Sequence, residues 1–205
     1  MTAARVLLVG ILLAGCARRG PLVDLHALDP GIRVEMPYAT PHNFTGATLY
    51  PVARCLLRRD VAERLVRVQQ RLRAEGLGLL AWDCYRPFSV QQRLWMLVPD
   101  ARYVAEPVVR DGKPVAGSKH NRGAAVDVTL VDAGGKPLEM PSGFDDFSER
   151  AHRGFVGASP AARRNAARLE EAMVAEGFAP LPTEWWHFDG PGWERYELLD
   201  RPLTE

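Results

Sequence analysis

Apolar positions along the chain fall into three helix-like stripes and several short strand-like runs. From Asp60, the residues Val61, Leu65, Val68 and Leu72 recur at the spacing of one helical face, and Glu63 stands three residues on as in a capping box. A helix is therefore expected from Asp60 to Gly76. Leu77 to Trp82 is a continuous apolar run that reads as a buried strand. Pro87 to Leu97 reads as a second helix with Val90, Leu94 and Leu97 turned inward. Ser159 as cap, Pro160 in the first turn, and Ala162, Ala166, Leu169 and Met173 on one face predict a third helix, with Gly177 past its end. From Ala124 to Leu130 the period changes to two: Val126, Val128 and Leu130 point one way, Ala125, Asp127 and Thr129 the other. Asp111-Gly112-Lys113-Pro114 and Ala133-Gly134-Gly135-Lys136-Pro137 are connections, the second suited to a turn between strands. Helices alternating with short strands and tight turns predict a single α+β domain whose sheet is largely antiparallel, with flanking helices.

One apolar run stands outside this pattern. Arg5 precedes Val6 to Leu13, which has the positive start and short core of an export signal and is too short to span a bilayer. It ends in Leu13-Ala14-Gly15-Cys16, which resembles a bacterial lipoprotein box and predicts cleavage that leaves Cys16 acylated; an ordinary secretory signal with a chance cysteine is the alternative. The expected division is a signal peptide over 1–15 and a mature domain over 16–205. The latter is about 190 residues, enough for one core and too few for two. The expected location is the periplasm, with membrane contact only through that lipid.

Removal of Arg5, the one charged residue in 1–15, takes the formal net charge from +1 to zero. No nucleic-acid partner is therefore expected. Arginines 59, 64, 67, 71 and 73 are interleaved with Glu63 and Glu75 and read as a solvated helix face. Cys55 and Cys84 are the two other cysteines. In an oxidising compartment they are expected to form a disulfide closing a loop of about 30 residues, worth at most roughly 3 to 4 kcal/mol in the chain-entropy account. Two buried free thiols are the alternative.

Two short stretches hold the candidate chemistry: Ser118 through Asp127, containing His120 and Asp127, and Glu184 through Asp189, containing Glu184 and His187. Two histidines, an aspartate and a further glutamate make the inventory of a catalytic zinc site, with three ligands, an open position and a carboxylate to move a proton. Fully extended, the seven residues from His120 to Asp127 would span roughly 23 Å, so the chain must double back, and Gly123 can make that turn without strain. Each residue alone has an ordinary reading, as a hydrogen-bonded surface group or a histidine packed among Trp185, Trp186 and Phe188. Glu184 beside the same aromatics fits that reading less well, because a buried carboxylate needs a partner such as a metal.

Taken together, the two clusters resemble the signature of the zinc D-alanyl-D-alanine dipeptidases, the VanX-type branch of the D,D-peptidase and murein endopeptidase family M15. Ser118-x-His120 with Gly123-x-Ala125-x-Asp127, and Glu184-x-x-His187, are similar to that family's two motifs. Asp83-Cys84-Tyr85-Arg86-Pro87, Asn43-Phe44-Thr45-Gly46 and Gly143-Phe144-Asp145-Asp146-Phe147 are similar to segments of the dipeptidase branch. The likeness runs from about Leu22 through Trp193. It implies the hedgehog/D,D-peptidase-like fold and one zinc ion per chain on His120, Asp127 and His187. Glu184 is then the catalytic base, with a fourth ligand as its rival role, and Arg86 lies near the scissile carbonyl. Read alone, Arg86 would be a surface arginine at a helix start.

The implied substrate is the small dipeptide D-alanyl-D-alanine, cleaved to two D-alanines in cell-wall turnover or glycopeptide resistance. Asp145 is the candidate for its ammonium and Ser118 for a hydrogen bond in the pocket, although each reads equally well as a turn or cap residue. A D,D-carboxypeptidase or murein endopeptidase would use the same metal site in an open groove. A non-catalytic cell-wall-binding lipoprotein would keep zinc without turnover, against which Glu184 and Arg86 argue. Where that branch commonly has glycine, this chain has Cys84. His26, His42 and His152 lack partners at ligand spacing and read as ordinary surface or loop residues.

Overall fold

The computed structural model describes residues 21–204; the signal segment 1–15 and Cys16 lie outside the described residues. Along the chain, β1 (Leu22–Asp24) leads into α1 (Leu25–Leu28), followed by β2 (Arg33–Val34), β3 (Leu56–Arg58) and α2 (Arg59–Arg73). Next come β4 (Leu77–Asp83), α3 (Phe88–Leu97), β5 (Val108–Arg110), β6 (Lys113–Ala116) and β7 (Ala125–Asp132). The chain ends with α4 (Pro160–Ala175), β8 (Ala179–Pro180) and β9 (His187–Asp189). The main sheet has the order β2-β4-β7-β9-β8, and only β2 runs parallel to its neighbour. This is the α+β, largely antiparallel architecture that the alternation of elements predicts.

The core is built where the stripes meet. Val61, Leu65, Val68 and Leu72 of α2 and Leu169 and Met173 of α4 join Leu79, Ala81, Val126, Val128 and Leu130 of β4 and β7 in one buried cluster. Ala166 stays partly exposed on α4. Ser159 accepts a hydrogen bond from the Ala162 amide at 3.0 Å, so the third helix starts as its cap signal predicts.

Four expectations are corrected. α2 begins at Arg59 and no side chain caps it, since its N-cap is Arg58 and Asp60 falls inside the first turn, where its carboxylate accepts from the Val61 amide at 3.0 Å and from Arg195 and Tyr196. It also stops at Arg73, with Gly76 in the left-handed region beyond it. Leu97 is 57% exposed, since α3 ends there and its final turn faces away from the core. The arginines of α2 are more than a solvated face: Arg67 and Arg71 converge on Glu176 just after α4, at 2.7 and 2.8 Å, and Arg73 pairs with Asp29. Both glycine-rich connections reverse the chain. Asp111 and Gly112 take positive φ in the β5–β6 turn, and Gly135 donates to Asp132 as the chain leaves β7.

Cys55, just before β3, and Cys84, just after β4, are fully buried and joined as a disulfide with their Cα atoms 5.1 Å apart.

Candidate metal and active site

The site begins with a capped turn. The Ser118 hydroxyl accepts from the His120 amide at 3.2 Å while the Asn121 side chain accepts from the Ser118 amide at 2.8 Å, which fixes a short 3-10 turn over Lys119–Arg122. Gly123 ends that turn at φ 66°, and a Cβ there would lie 2.4 Å from a methyl of Leu22. The chain thus reverses into β7 and returns Asp127 to His120. Strand β9 then pairs with β7 so that His187 stands opposite Asp127.

Three atoms converge as a result. His187 Nδ1 lies 3.0 Å from Asp127 Oδ1 and 3.1 Å from His120 Nε2, and His120 Nε2 lies 3.4 Å from Asp127 Oδ1. Ligands on a tetrahedral zinc with bonds of roughly 2.0–2.1 Å would be about 3.3 Å apart, close to this triangle.

The outer ring nitrogens fix the tautomers. His120 Nδ1 is 2.7 Å from the Cys84 carbonyl, which can only accept, so Nδ1 carries the proton and Nε2 presents a lone pair. His187 Nε2 donates to Asp189 at 2.9 Å, which likewise frees Nδ1. Three lone-pair donors facing one another repel unless positive charge lies among them. A proton on His187 would supply that charge in place of a cation. Burial opposes a charged His187, yet hydrogen bonds to Asp127 and Asp189 outweigh it and raise its pKa to about 10. Burial likewise opposes the Asp127 carboxylate, but the two histidines hold it well below the usual range. The donor set therefore fits a divalent metal, and it is the cluster able to hold one among the described residues.

Glu184 sits beside this triangle without joining it, 3.9 Å from His187 Nδ1. Burial raises its carboxyl to about 7, with His187 pulling the other way. Its segment is held from behind by Arg153, which donates to the Leu181 and His187 carbonyls at 2.9 and 2.8 Å.

Arg86 is buried on the cleft wall. Nε and Nη2 donate to Asp83 Oδ2 at 3.0 and 2.6 Å, and Nη1 donates to Gln91 at 2.8 Å. Asp83 is itself fully buried and accepts from Tyr50 at 2.7 Å and from the Cys84 amide at 2.9 Å. Burial alone would discourage charge on Arg86, but Asp83 reverses this and holds the guanidinium more firmly protonated than usual. With three of five N–H groups engaged, two remain for the cleft.

Asp145, at φ 56°, accepts from Tyr38 at 2.9 Å, and burial pushes its carboxyl well up while that hydrogen bond opposes the shift. Asp145, Ser118, Arg86, Glu184 and the three convergent residues all line one cleft of about 160 Å³, walled by Tyr38, Phe44, Phe147 and Trp186. Sequence reasoning missed Asp83, Gln91, Tyr50, Tyr38, Arg153 and Asp189 as parts of the site. Asp189 had a usable signal, since it lies two residues from His187 on one strand face. Tyr38 and Tyr50 had none, being brought in from a distant loop.

A family profile described as D-Ala-D-Ala dipeptidase, peptidase M15, matches residues 18–204. The D-alanyl-D-alanine dipeptidase of Escherichia coli K12 is 40% identical over 178 residues, covering 87% of this chain and 89% of that protein. That of Enterococcus faecium is 33% identical over 173 residues, covering 77% and 85%. The solved structure of VanYB in complex with D-alanine-D-alanine aligns with 80% of this chain and 79% of its own at 16% identity, with a TM-score of 0.41.

Proposed function

This chain belongs to the D-Ala-D-Ala dipeptidase family of M15 peptidases, and on that premise we propose that it hydrolyses D-alanyl-D-alanine to two D-alanines at a zinc site formed by His120, Asp127 and His187. The observation that carries the reading is the convergence of three donor atoms within 3.0 to 3.4 Å of one another beside the buried Glu184. Zinc held there would supply a Lewis acid that polarises the scissile carbonyl and acidifies water.

The chain's own residues supply the rest. Glu184, buried beside the three convergent residues, takes a proton from the attacking water and returns one to the departing amine nitrogen. The two free N–H groups of Arg86 meet the negative charge that grows on the carbonyl oxygen. Because Asp83 and Gln91 already hold the guanidinium, no reorganisation accompanies the step. Asp145 receives the substrate ammonium. Ser118 uses its oxygen as a cap and keeps its proton for a substrate oxygen.

A cleft of about 160 Å³ is smaller than the roughly 300–1,000 Å³ of drug-sized sites, which favours a free dipeptide over a longer stem peptide. The buried disulfide supports export under the signal at 1–15, with Cys16 acylated and the domain facing the periplasm.

The direct test is hydrolysis of D-Ala-D-Ala by zinc-reconstituted protein, with the L,L dipeptide and N-acetylated D-Ala-D-Ala as comparisons. Activity is expected on the free D,D dipeptide alone and should disappear on chelation. Glu184→Ala should keep zinc and lose turnover by about a hundredfold or more; loss of zinc instead would make Glu184 a ligand. Cleavage of a muropeptide in preference to the free dipeptide would transfer the assignment to a carboxypeptidase.

A further inference from the structure

The geometry points to a second role for the Cys55–Cys84 disulfide: it is a positioning device for the metal site, so that oxidation of this pair completes the catalytic constellation. The inference rests on the zinc reading above. Cys84 lies one residue beyond Asp83, the last residue of β4 paired with β7, and the pairing is already irregular between Ala81 and Asp83. At this point ladder hydrogen bonds no longer hold the chain. Yet the Cys84 carbonyl is the acceptor that orients the His120 ring, at 2.7 Å. The adjoining Asp83, whose carboxylate also receives the Cys84 amide, orients Arg86. One short turn thus aims a metal ligand and the arginine of the cleft wall.

The other half of the bond is anchored independently. The Cys55 carbonyl accepts from Leu25 at 2.9 Å, and β3, directly after it, pairs with β1. Leu56 accepts from the Tyr85 amide at 2.9 Å, and the Arg58 amide donates to Gly123 at 2.8 Å, at the end of the His120 turn. Arg86 closes the circuit by donating from its amide to the His120 carbonyl at 3.1 Å. The ribbon β1–β3 therefore grips the His120 turn through Gly123 by hydrogen bond, and its partner turn through Cys84 by a covalent bond. Forming that bond removes two electrons and two protons from the thiols, which an exchanging disulfide takes up as it becomes a dithiol. A chain with both thiols reduced keeps the three ligands but loses the covalent grip on the acceptor behind one of them.

Metal affinity, the electronic spectrum of the cobalt-substituted protein and the steady-state constants should be compared in intact protein, Cys55→Ala/Cys84→Ala and Cys55→Ala. The last cuts the bond while leaving residue 84 unchanged, in case the double variant does not fold. Leu72→Ala, a cavity in α2, provides a control destabilised without touching the turn, and thermal unfolding ranks all four. Affinity from chelator competition is expected to fall about tenfold to a hundredfold in the cysteine variants, with a shifted cobalt spectrum and a lower kcat at little-changed KM. Leu72→Ala should keep the intact protein's affinity and spectrum. Folded cysteine variants that match the intact protein in affinity and spectrum would overturn the inference and leave the dipeptidase reading standing. An equal loss in Leu72→Ala would overturn it too, by reducing the effect to general stability. Intact, oxidised protein that binds no metal would bring down the zinc reading and this inference with it.

Discussion

Of the clusters that pair arginine with a carboxylate, the one around Glu176 and the one around Asp83 make the sharpest contrast. At the end of α4, Arg67 and Arg71 meet the buried Glu176 carboxylate while their own side chains stay 47% and 58% exposed. On the cleft wall, Arg86 meets Asp83 with its side chain 10% exposed and its partner wholly buried. Pairs whose cations stand in water gain little, because water screens them and long side chains lose freedom on pairing. A buried pair owes its existence to satisfying every donor and acceptor, since an unmatched charge there is costly. The first cluster therefore fastens α2 to the end of α4, whereas the second holds a cation on the cleft wall, where the proposed reaction would develop charge.

The contrast can be broken from either side. The largest effect is expected from Asp83→Ala, which strands the Arg86 guanidinium and should cost about 3–5 kcal/mol in urea unfolding, with activity lost alongside. Arg86→Ala should lower kcat by about a hundredfold to a thousandfold while the metal content, read by elemental analysis, is unchanged; near-normal kcat would dismiss its role. Tyr50→Phe removes one hydrogen bond to the Asp83 carboxylate and should cost about 1.5–3 kcal/mol.

Glu176→Gln should have the smallest effect, about 0.5–1 kcal/mol at neutral pH. The Arg67 hydrogen bond comes first in holding the Glu176 carboxyl below its usual value, opposed by burial and aided by Arg71. A carboxyl with a lower pKa folded than unfolded adds stability that is complete above the unfolded pKa of about 4.3 and is lost as the pH falls through the folded one. The gap between wild type and Glu176→Gln should therefore close on acidification, as thermal unfolding at pH 7 and pH 3 would show. A gap independent of pH would mean that the cluster acts through packing.

The same contrast explains which parts were legible in the sequence. The stripes of α2 and α4 and the alternation of β7 announced themselves, because hydrophobic period follows backbone geometry. His120, Asp127, Glu184 and His187 were visible through their spacing and a family likeness, and the structure places all four on one cleft. The start of α2 was misplaced because the helix begins at Arg59 behind an N-cap, Arg58, that offers no capping side chain; Asp60 sits in the first turn and also meets Tyr196 and Arg195, more than 130 positions later. Asp83 stood within the segment from Asp83 to Pro87, but one partner of its carboxylate, Tyr50, arrives from another loop. The proposed site residues were readable; the groups that hydrogen-bond to them were mostly assembled by tertiary packing.

Gly123 carries a backbone restriction on this chain's future variation. Its left-handed conformation disfavours any residue with a Cβ, and a Cβ there would also oblige the Leu22 methyl to turn aside. In a saturation library at this codon, most replacements should lose stability, with Asn and Asp, which tolerate this backbone best, losing least. A position that contacts no ligand thus constrains the turn that returns Asp127 to His120.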